Sequence, residues 1–381
     1  MYVEVRKAGF VNKGAELMLR AVLEQVQTQH PDARVVMEPG RDRSPYPYRQ
    51  RAKLGLYQKA WLWRKNVPFG DLAALMPGRL REMYGVVLDK DINVVLDAAG
   101  FAYTDQWGPE LSEELARSSA RWKSRGTKVV LLPQAFGPFR DNNSKEAVKR
   151  FVDSADLIYA RDPISYKYLT EIAGTAEHIK QCPDFTNLIE GRCPDYFDRE
   201  THQICIVPNF RMMDKTSAAV ADGYIPFLER VAWSLLKRGA KPFLLVHEGA
   251  DDLRLAEQVS KAVGGLPILS ESDPLAIKGI LGACRGTVGS RFHGLVSALS
   301  QGVPSLATGW SHKYQMLFAD YGFEQGVLDI NLSDEELEQA LAYLIDPILA
   351  AQLSSSLMMH SSQLKQHSRD MWQDVFALMA E

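Results

Sequence analysis

The feature that most limits how this chain can fold is an alternation of short β-rich runs with helical segments, sustained from the first residues to about position 308. Neighbouring parallel strands need a long crossover, usually a helix, so the alternation predicts parallel sheets covered by helices. Tyr2–Val5, Arg34–Met37, Ile92–Asp97, Lys128–Leu132 and Asp156–Ala160 read as strands of a first sheet. The segment after Asn12 and Ser112–Arg125 read as its crossover helices. A turn-rich stretch, Cys182–Thr201, contains Pro183, Gly191 and Pro194 and separates this series from a second one. The second sheet is predicted from Gln203–Val207, Pro242–Val246, Pro267–Ser270, Gly286–Gly289 and Pro304–Thr308, with a helix over Phe227–Lys237. A length of 381 residues suits two such domains. The expected division is 1–195 and 196–381, with helices from Ser333 onward and room for one of them to cross back onto the first half. Two halves of this kind would face each other across a cleft, and ligands of open α/β sheets bind at the carboxyl edges of the strands.

Residues 286–314 place titratable groups at such an edge. Thr287-Val288-Gly289 ends a strand, Ser290 is expected to cap the following helix, and Leu295, Val296 and Leu299 carry helical spacing. The free N–H groups of a first helical turn favour an anion. Arg291, His293 and Lys313 can converge on the same anion, although one histidine by itself is more often a core residue satisfied by a neighbour. Arg161 follows the Asp156–Ala160 run in the same way, but an Arg-Asp pair at that position also reads as an ion pair that fixes a loop.

Other motifs point elsewhere. Neither G-x-x-x-x-G-K-[ST] nor a G-x-G-x-x-G after a strand occurs, so no nucleoside triphosphate or dinucleotide is announced. Asp89-Lys90-Asp91 precedes its strand, on the wrong edge for catalysis, and is read as a solvated turn. His247-Glu248 with Asp251 and Asp252 comes nearest to metal-ligand spacing. Two acids opening a helix usually mark a helix start, and no metal is expected.

Read together, Asn12-Lys13-Gly14-Ala15-Glu16, Gln134-Ala135-Phe136-Gly137-Pro138, Ala160-Arg161-Asp162 with Ser165, and Ser290-Arg291-Phe292-His293-Gly294 followed by Lys313 resemble the polysaccharide pyruvyl transferases. The resemblance runs nearly end to end. It implies transfer of pyruvate from phosphoenolpyruvate to sugar hydroxyls, on a scaffold like that of the GT-B glycosyltransferases. Arg161, His293 and Lys313 occupy the positions that handle the donor, with Ser290 and Arg291 beside them. His293 is the natural acid for protonating the methylene carbon, since histidine titrates near neutrality and a bound trianion favours the charged ring. No cofactor is expected, phosphoenolpyruvate being a co-substrate.

For the acceptor, expected contacts are Asn12, Lys13, Gln134 and His247, together with Asp105, Gln106 and Trp107 in a loop after Phe101. A tryptophan face packs on a pyranose while carboxylate and amide bond its hydroxyls, although Trp107 equally reads as a buried loop anchor. Two alternatives stay open: a nucleotide-sugar glycosyltransferase on the same scaffold, and a non-catalytic saccharide-binding protein.

Composition is compatible with all of these, at 46% hydrophobic and 24% charged residues. Cys182, Cys193, Cys205 and Cys284 lack C-x-x-C spacing and read as reduced structural thiols. No run is long and apolar enough for a membrane span, and the first strand carries Glu4, Arg6 and Lys7 where a signal peptide would be apolar. A cytoplasmic protein is therefore expected. Residues 41–65 hold eight basic residues and one acidic one, in a chain of formal net charge −3, interleaved with Tyr46, Tyr48, Tyr57, Trp61 and Trp63. That mixture suits the surface of an anionic membrane, which family acceptors carried on lipids would favour. A solvated basic face is the plainer reading, and binding of nucleic acid is not expected.

Overall fold

Every pairing in the two main sheets is parallel, as the alternation requires. The computed structural model describes residues 1–10, 12–39, 48–61, 63–64, 67–68, 70–309 and 311–380. It divides into one unit of residues 1–185 with 368–381 and a second of 186–367. The boundary thus falls ten residues before the expected one at 195/196, and the end of the last helix, Pro347–Ala380, groups with the first unit.

In the first unit, β1 (Tyr2–Arg6), β2 (Arg34–Met37), β3 (Tyr57–Lys59), β4 (Val86–Val87), β5 (Val94–Asp97), β6 (Lys128–Gln134), β7 (Leu157–Ala160) and β8 (Ile179–Gln181) form one sheet. Their order is β8-β7-β6-β5-β1-β2-β3-β4, so the order reverses between β1 and β5. Trp63–Arg64 and Val67–Pro68 make a separate antiparallel pair. In the second unit, β9 (Ile204–Val207), β10 (Pro242–Val246), β11 (Ile268–Ser270), β12 (Gly286–Gly289) and β13 (Ser305–Ala307) lie in the order β11-β10-β9-β12-β13. Here the reversal lies between β9 and β12, where Val207 pairs with Gly289. Crevices at the carboxyl ends of strands at such reversals are where ligands bind in this class of sheet.

The segments expected to be solvated supply a buried charge network. Lys59 and Glu4 both have fully buried side chains, and Lys59 Nζ lies 2.7 Å from Glu4 and 2.9 Å from Asp89. Asp89 also accepts from Arg121 at 3.0 Å, Arg125 at 2.8 Å and the Trp122 indole at 3.0 Å. Burial by itself would raise the Asp89 carboxyl, but Lys59, the Trp122 indole N–H and Arg121 outweigh it and hold the group well below the usual carboxylate range. The reading of residues 89–91 as a solvated turn holds for the exposed Lys90 but is corrected for Asp89, which is only 4% exposed because the end of helix Glu110–Lys123 brings its cations and indole onto it. Arg6 donates to both oxygens of Glu114, at 2.8 and 2.7 Å, and stacks on Trp122.

Within the basic aromatic stretch, Lys59 belongs to this network and Arg51 is buried, donating to the Met37 carbonyl at 2.7 Å. Residues 41–47, Leu62 and Lys65 lie outside the described residues, as do the side chains of Tyr48, Trp63 and Arg64. Among the described residues, no single helix is long and apolar enough to cross a membrane. All four cysteines are free thiols.

Candidate functional site

At the reversal in the second sheet, β12 runs into Ser290 and Arg291, and a helix begins at Phe292. Ser290 was expected to cap this helix, but Arg291 occupies the cap position with no side-chain cap bond. Ser290 is instead tied in place from every side. Its hydroxyl accepts from Tyr224 at 2.9 Å and shares a hydrogen with Thr308 at 2.6 Å. Its carbonyl accepts from the Tyr314 hydroxyl at 2.8 Å and from the Asn209 amide. Burial pushes the Tyr224 phenol up to about 12, so it stays a donor at ordinary pH. Ser290 is 1% exposed and its hydroxyl is bonded to two buried hydroxyls, so it serves first to hold this corner together. Replacing Ser290 by alanine should leave buried hydroxyls short of partners and cost about 1–3 kcal/mol, read as a lower midpoint in chemical denaturation.

With Ser290 fixed, Arg291 and His293 take defined positions. The Arg291 guanidinium donates through Nε to Asp252 at 2.9 Å, through Nη2 to the same carboxylate, and through Nη1 to Glu248. Asp252 has a fully buried side chain and also accepts from the Phe210 N–H at 2.9 Å. The acids after His247 do open a helix, Gly249–Ala262, with Asp251 and Asp252 in its first turn; Asp252 and Glu248 in addition reach across β9 to the end of β12 and grip its arginine. Arg291 is consequently not an open cation, because two carboxylates already surround it.

His293 packs edge-on against Phe292, with ring centroids 5.5 Å apart, and Lys313 Nζ lies 5.5 Å from the same Phe292 ring. Histidine and lysine thus share one aromatic support beside the first turn of the helix. His247 joins them, since a Cβ built on Gly294 would sit 3.5 Å from its imidazole. The strand-turn-helix pattern pointed to Arg291 and His293. Tyr224 and Asn209 were not legible as site residues, and Glu248 and Asp252 stood out only for their spacing; the strand order is what brings these loops to Ser290 and Arg291.

The remaining expected residues lie in the first unit. Arg161 is 6% exposed and forms an ion pair with Asp184 at 3.0 Å. Its sequence neighbour Asp162 caps the next helix and accepts from the Ser165 hydroxyl at 2.8 Å, and that hydroxyl in turn accepts from the Phe136 N–H at 2.9 Å. The two loop motifs therefore brace each other. Gln134, expected to contact the acceptor, is the last residue of strand β6 and is fully buried. Its Nε2 lies 3.5 Å from Asp97, too long for a strong bond.

Asn12 caps helix Lys13–Gln29 by accepting from the Ala15 N–H, and Lys13 pairs with Glu16 at 3.0 Å. Asp105 accepts from the Asp141 N–H at 3.1 Å and so fastens its loop, while Gln106 is exposed. Trp107 does two things at once: its indole N–H donates to the Phe101 carbonyl at 2.9 Å, and the ring stays 38% exposed.

A family model described as polysaccharide pyruvyl transferase matches residues 12–312. Among solved structures, the chain is similar to HepE from Anabaena in complex with UDP and glucose, at 13% identity over 99% of each chain with a TM-score of 0.59. It is also similar to UDP-GlcNAc 2-epimerase from Neisseria meningitidis bound to UDP-GlcNAc. There the identity is 8%, over 99% of this chain and 100% of that one, with a TM-score of 0.61. Such low identities speak to fold alone, that of two Rossmann-like domains of the GT-B type.

Proposed function

Because the chain belongs to the polysaccharide pyruvyl transferase family, we propose that it moves the pyruvyl group of phosphoenolpyruvate onto two hydroxyls of one sugar, in a surface polysaccharide or its lipid-linked precursor. The observation that carries this reading is that His293 and Lys313 each lie against the Phe292 ring, at the N-terminal end of a helix. Phosphoenolpyruvate needs fixed cations, N–H donors and one proton source, and that cluster supplies them.

In the proposed reaction, His293 gives a proton to the methylene carbon, which becomes a methyl group. A sugar hydroxyl then attacks the carbon bearing the phosphate, and the phosphate leaves. A second hydroxyl of the same sugar closes the ketal on that carbon. One hydroxyl proton restores His293 and the other departs with phosphate, so atoms and charge balance without a metal or a nucleotide.

Arg161, paired with Asp184, acts in this reading by holding its loop. For the acceptor, we propose the exposed face of Trp107 with Gln106 beside it, while Asn12, Lys13, Asp105 and Gln134 support the surrounding backbone. A cytoplasmic enzyme that meets a lipid-linked acceptor at the membrane surface fits the family, and the buried Arg51 and Lys59 narrow the part of 41–65 available for that contact.

A nucleotide-sugar donor is the second reading, favoured by fold neighbours solved with UDP and by the two carboxylates on Arg291, which lower the positive charge of the site. Equilibrium binding separates the two. Phosphoenolpyruvate should bind the wild type in preference to UDP, and Lys313→Ala should weaken that binding about tenfold or more, since one charge-assisted contact is lost. UDP binding that exceeds phosphoenolpyruvate binding would favour the second reading.

A further inference from the structure

We propose that residues 70–84 are an apolar anchor by which the first unit lies on the surface of an anionic lipid bilayer. The proposal rests on the membrane part of the reading above, not on the donor, and gives that contact an apolar partner. The crossover from β3 to β4 runs through a 3-10 helix, Gly70–Leu75, and a helix, Gly78–Met83. A crossover between parallel strands ordinarily buries its apolar side on the sheet. Here helix Gly78–Met83 buries no residue, and Gly70 is the only buried residue of the 3-10 helix. Leu72, Leu75, Met76, Leu80, Met83 and Tyr84 all stand open to solvent, from 37% for Met76 to 85% for Leu75. Leu80, Met83 and Tyr84 recur at i, i+3 and i+4, one side of a helix, and Leu72 and Leu75 lie one turn apart. Apolar side chains this large, exposed together, mark a surface that something covers.

The surrounding charges choose the occupant. Helix Tyr48–Lys53 leads into β3 as helix Gly78–Met83 leads into β4, and these two strands pair in parallel, so both helices lie at the amino end of one sheet edge. There Arg49, Lys53 and Arg79 are exposed. Of the nearby acids, Glu82 pairs with Arg34 at 3.2 Å and Asp91 with Arg81 at 3.2 Å, which leaves Asp71 against three cations among the described residues. Two-fold contact with a second copy of the chain would lay this patch on itself, cation against cation. Anionic lipid meets both features: its headgroups pair the cations, and the boundary with its acyl chains takes up leucine and methionine, with Tyr84 at headgroup depth.

The test is co-sedimentation of the full chain with vesicles of phosphatidylcholine alone and of phosphatidylcholine mixed with phosphatidylglycerol. The wild type should sediment with the anionic vesicles, and less so as salt is raised. Leu75→Ser with Met83→Ser should weaken this binding about tenfold or more and keep its salt dependence, because burial is lost while charge stays. Arg49→Gln, Lys53→Gln and Arg79→Gln together should weaken it as well and flatten the salt dependence. All five side chains are exposed, so melting profiles should match that of the wild type. Unchanged binding to anionic vesicles by the serine variant would overturn the anchor and leave a membrane contact made by charge alone. A wild type that stays in the supernatant at low salt would overturn the membrane reading, and the anchor with it. A wild type that is a dimer without lipid, and that the two serines turn into a monomer, would overturn the anchor in favour of a second copy.

Discussion

His293→Ala should slow pyruvyl transfer by about two to four orders of magnitude while leaving phosphoenolpyruvate bound. In the proposed reaction the proton is delivered in the transition state, whereas the ground-state anion would be held chiefly by Lys313 and the helix N–H groups. The loss should therefore fall on kcat, with the donor KM little changed. The fold should survive, since His293 is half-buried at the rim and the bonds that lock this corner belong to Ser290, Tyr224, Tyr314 and Asn209. Steady-state kinetics with a saturating acceptor checks this, and near-normal turnover would remove His293 from the chemistry.

The other large effect is on stability. Lys59→Met should destabilise the protein by about 3–5 kcal/mol, because it leaves Glu4 buried without its cation and takes one of three from Asp89. Removing both members of the pair, as Lys59→Met with Glu4→Gln, should recover much of the loss, since a buried pair is far less costly to replace whole than to break. Denaturant midpoints of the three proteins decide this. A single variant as stable as the wild type would mean that the pair contributes nothing to the first unit.

That same lysine shows where the sequence stops being informative. The five strands of the second sheet were legible because each is a short run of apolar and small residues bounded by proline, glycine or polar residues. In the first sheet, Tyr57–Lys59, Val86–Val87 and Ile179–Gln181 escaped notice, being only two or three residues long and, in two of them, polar enough to read as surface. Lys59 and Asp89 look solvated in isolation; their burial depends on where the Glu110–Lys123 helix ends. The helix expected over Phe227–Lys237 starts earlier, at Ala218, and carries Pro226 inside it, a residue that usually argues for a boundary.

The site divides in the same way. Arg291, His293 and Lys313 lie within one stretch, 286–314, so the placement of His293 and Lys313 against the Phe292 ring could be anticipated. Glu248 and Asp252 lie some forty residues away in the chain, and their pairing with Arg291 follows only from the order β10-β9-β12. The Arg161 motif left the partner of the arginine open, because nothing in sequence shows Asp184 lying 3.0 Å from its guanidinium.

Pyruvyl transfer itself is the most direct test of this account. The purified chain is incubated with phosphoenolpyruvate and a panel of sugar acceptors, soluble and lipid-linked, and released phosphate is followed alongside the mass of the acceptor. The expected result is acceptor-dependent phosphate release matched one to one by acceptors that have gained a pyruvate ketal, with both products formed at least about a hundredfold more slowly by His293→Ala. Transfer of a sugar from a UDP-sugar, with no phosphate released from phosphoenolpyruvate under any acceptor, would contradict it.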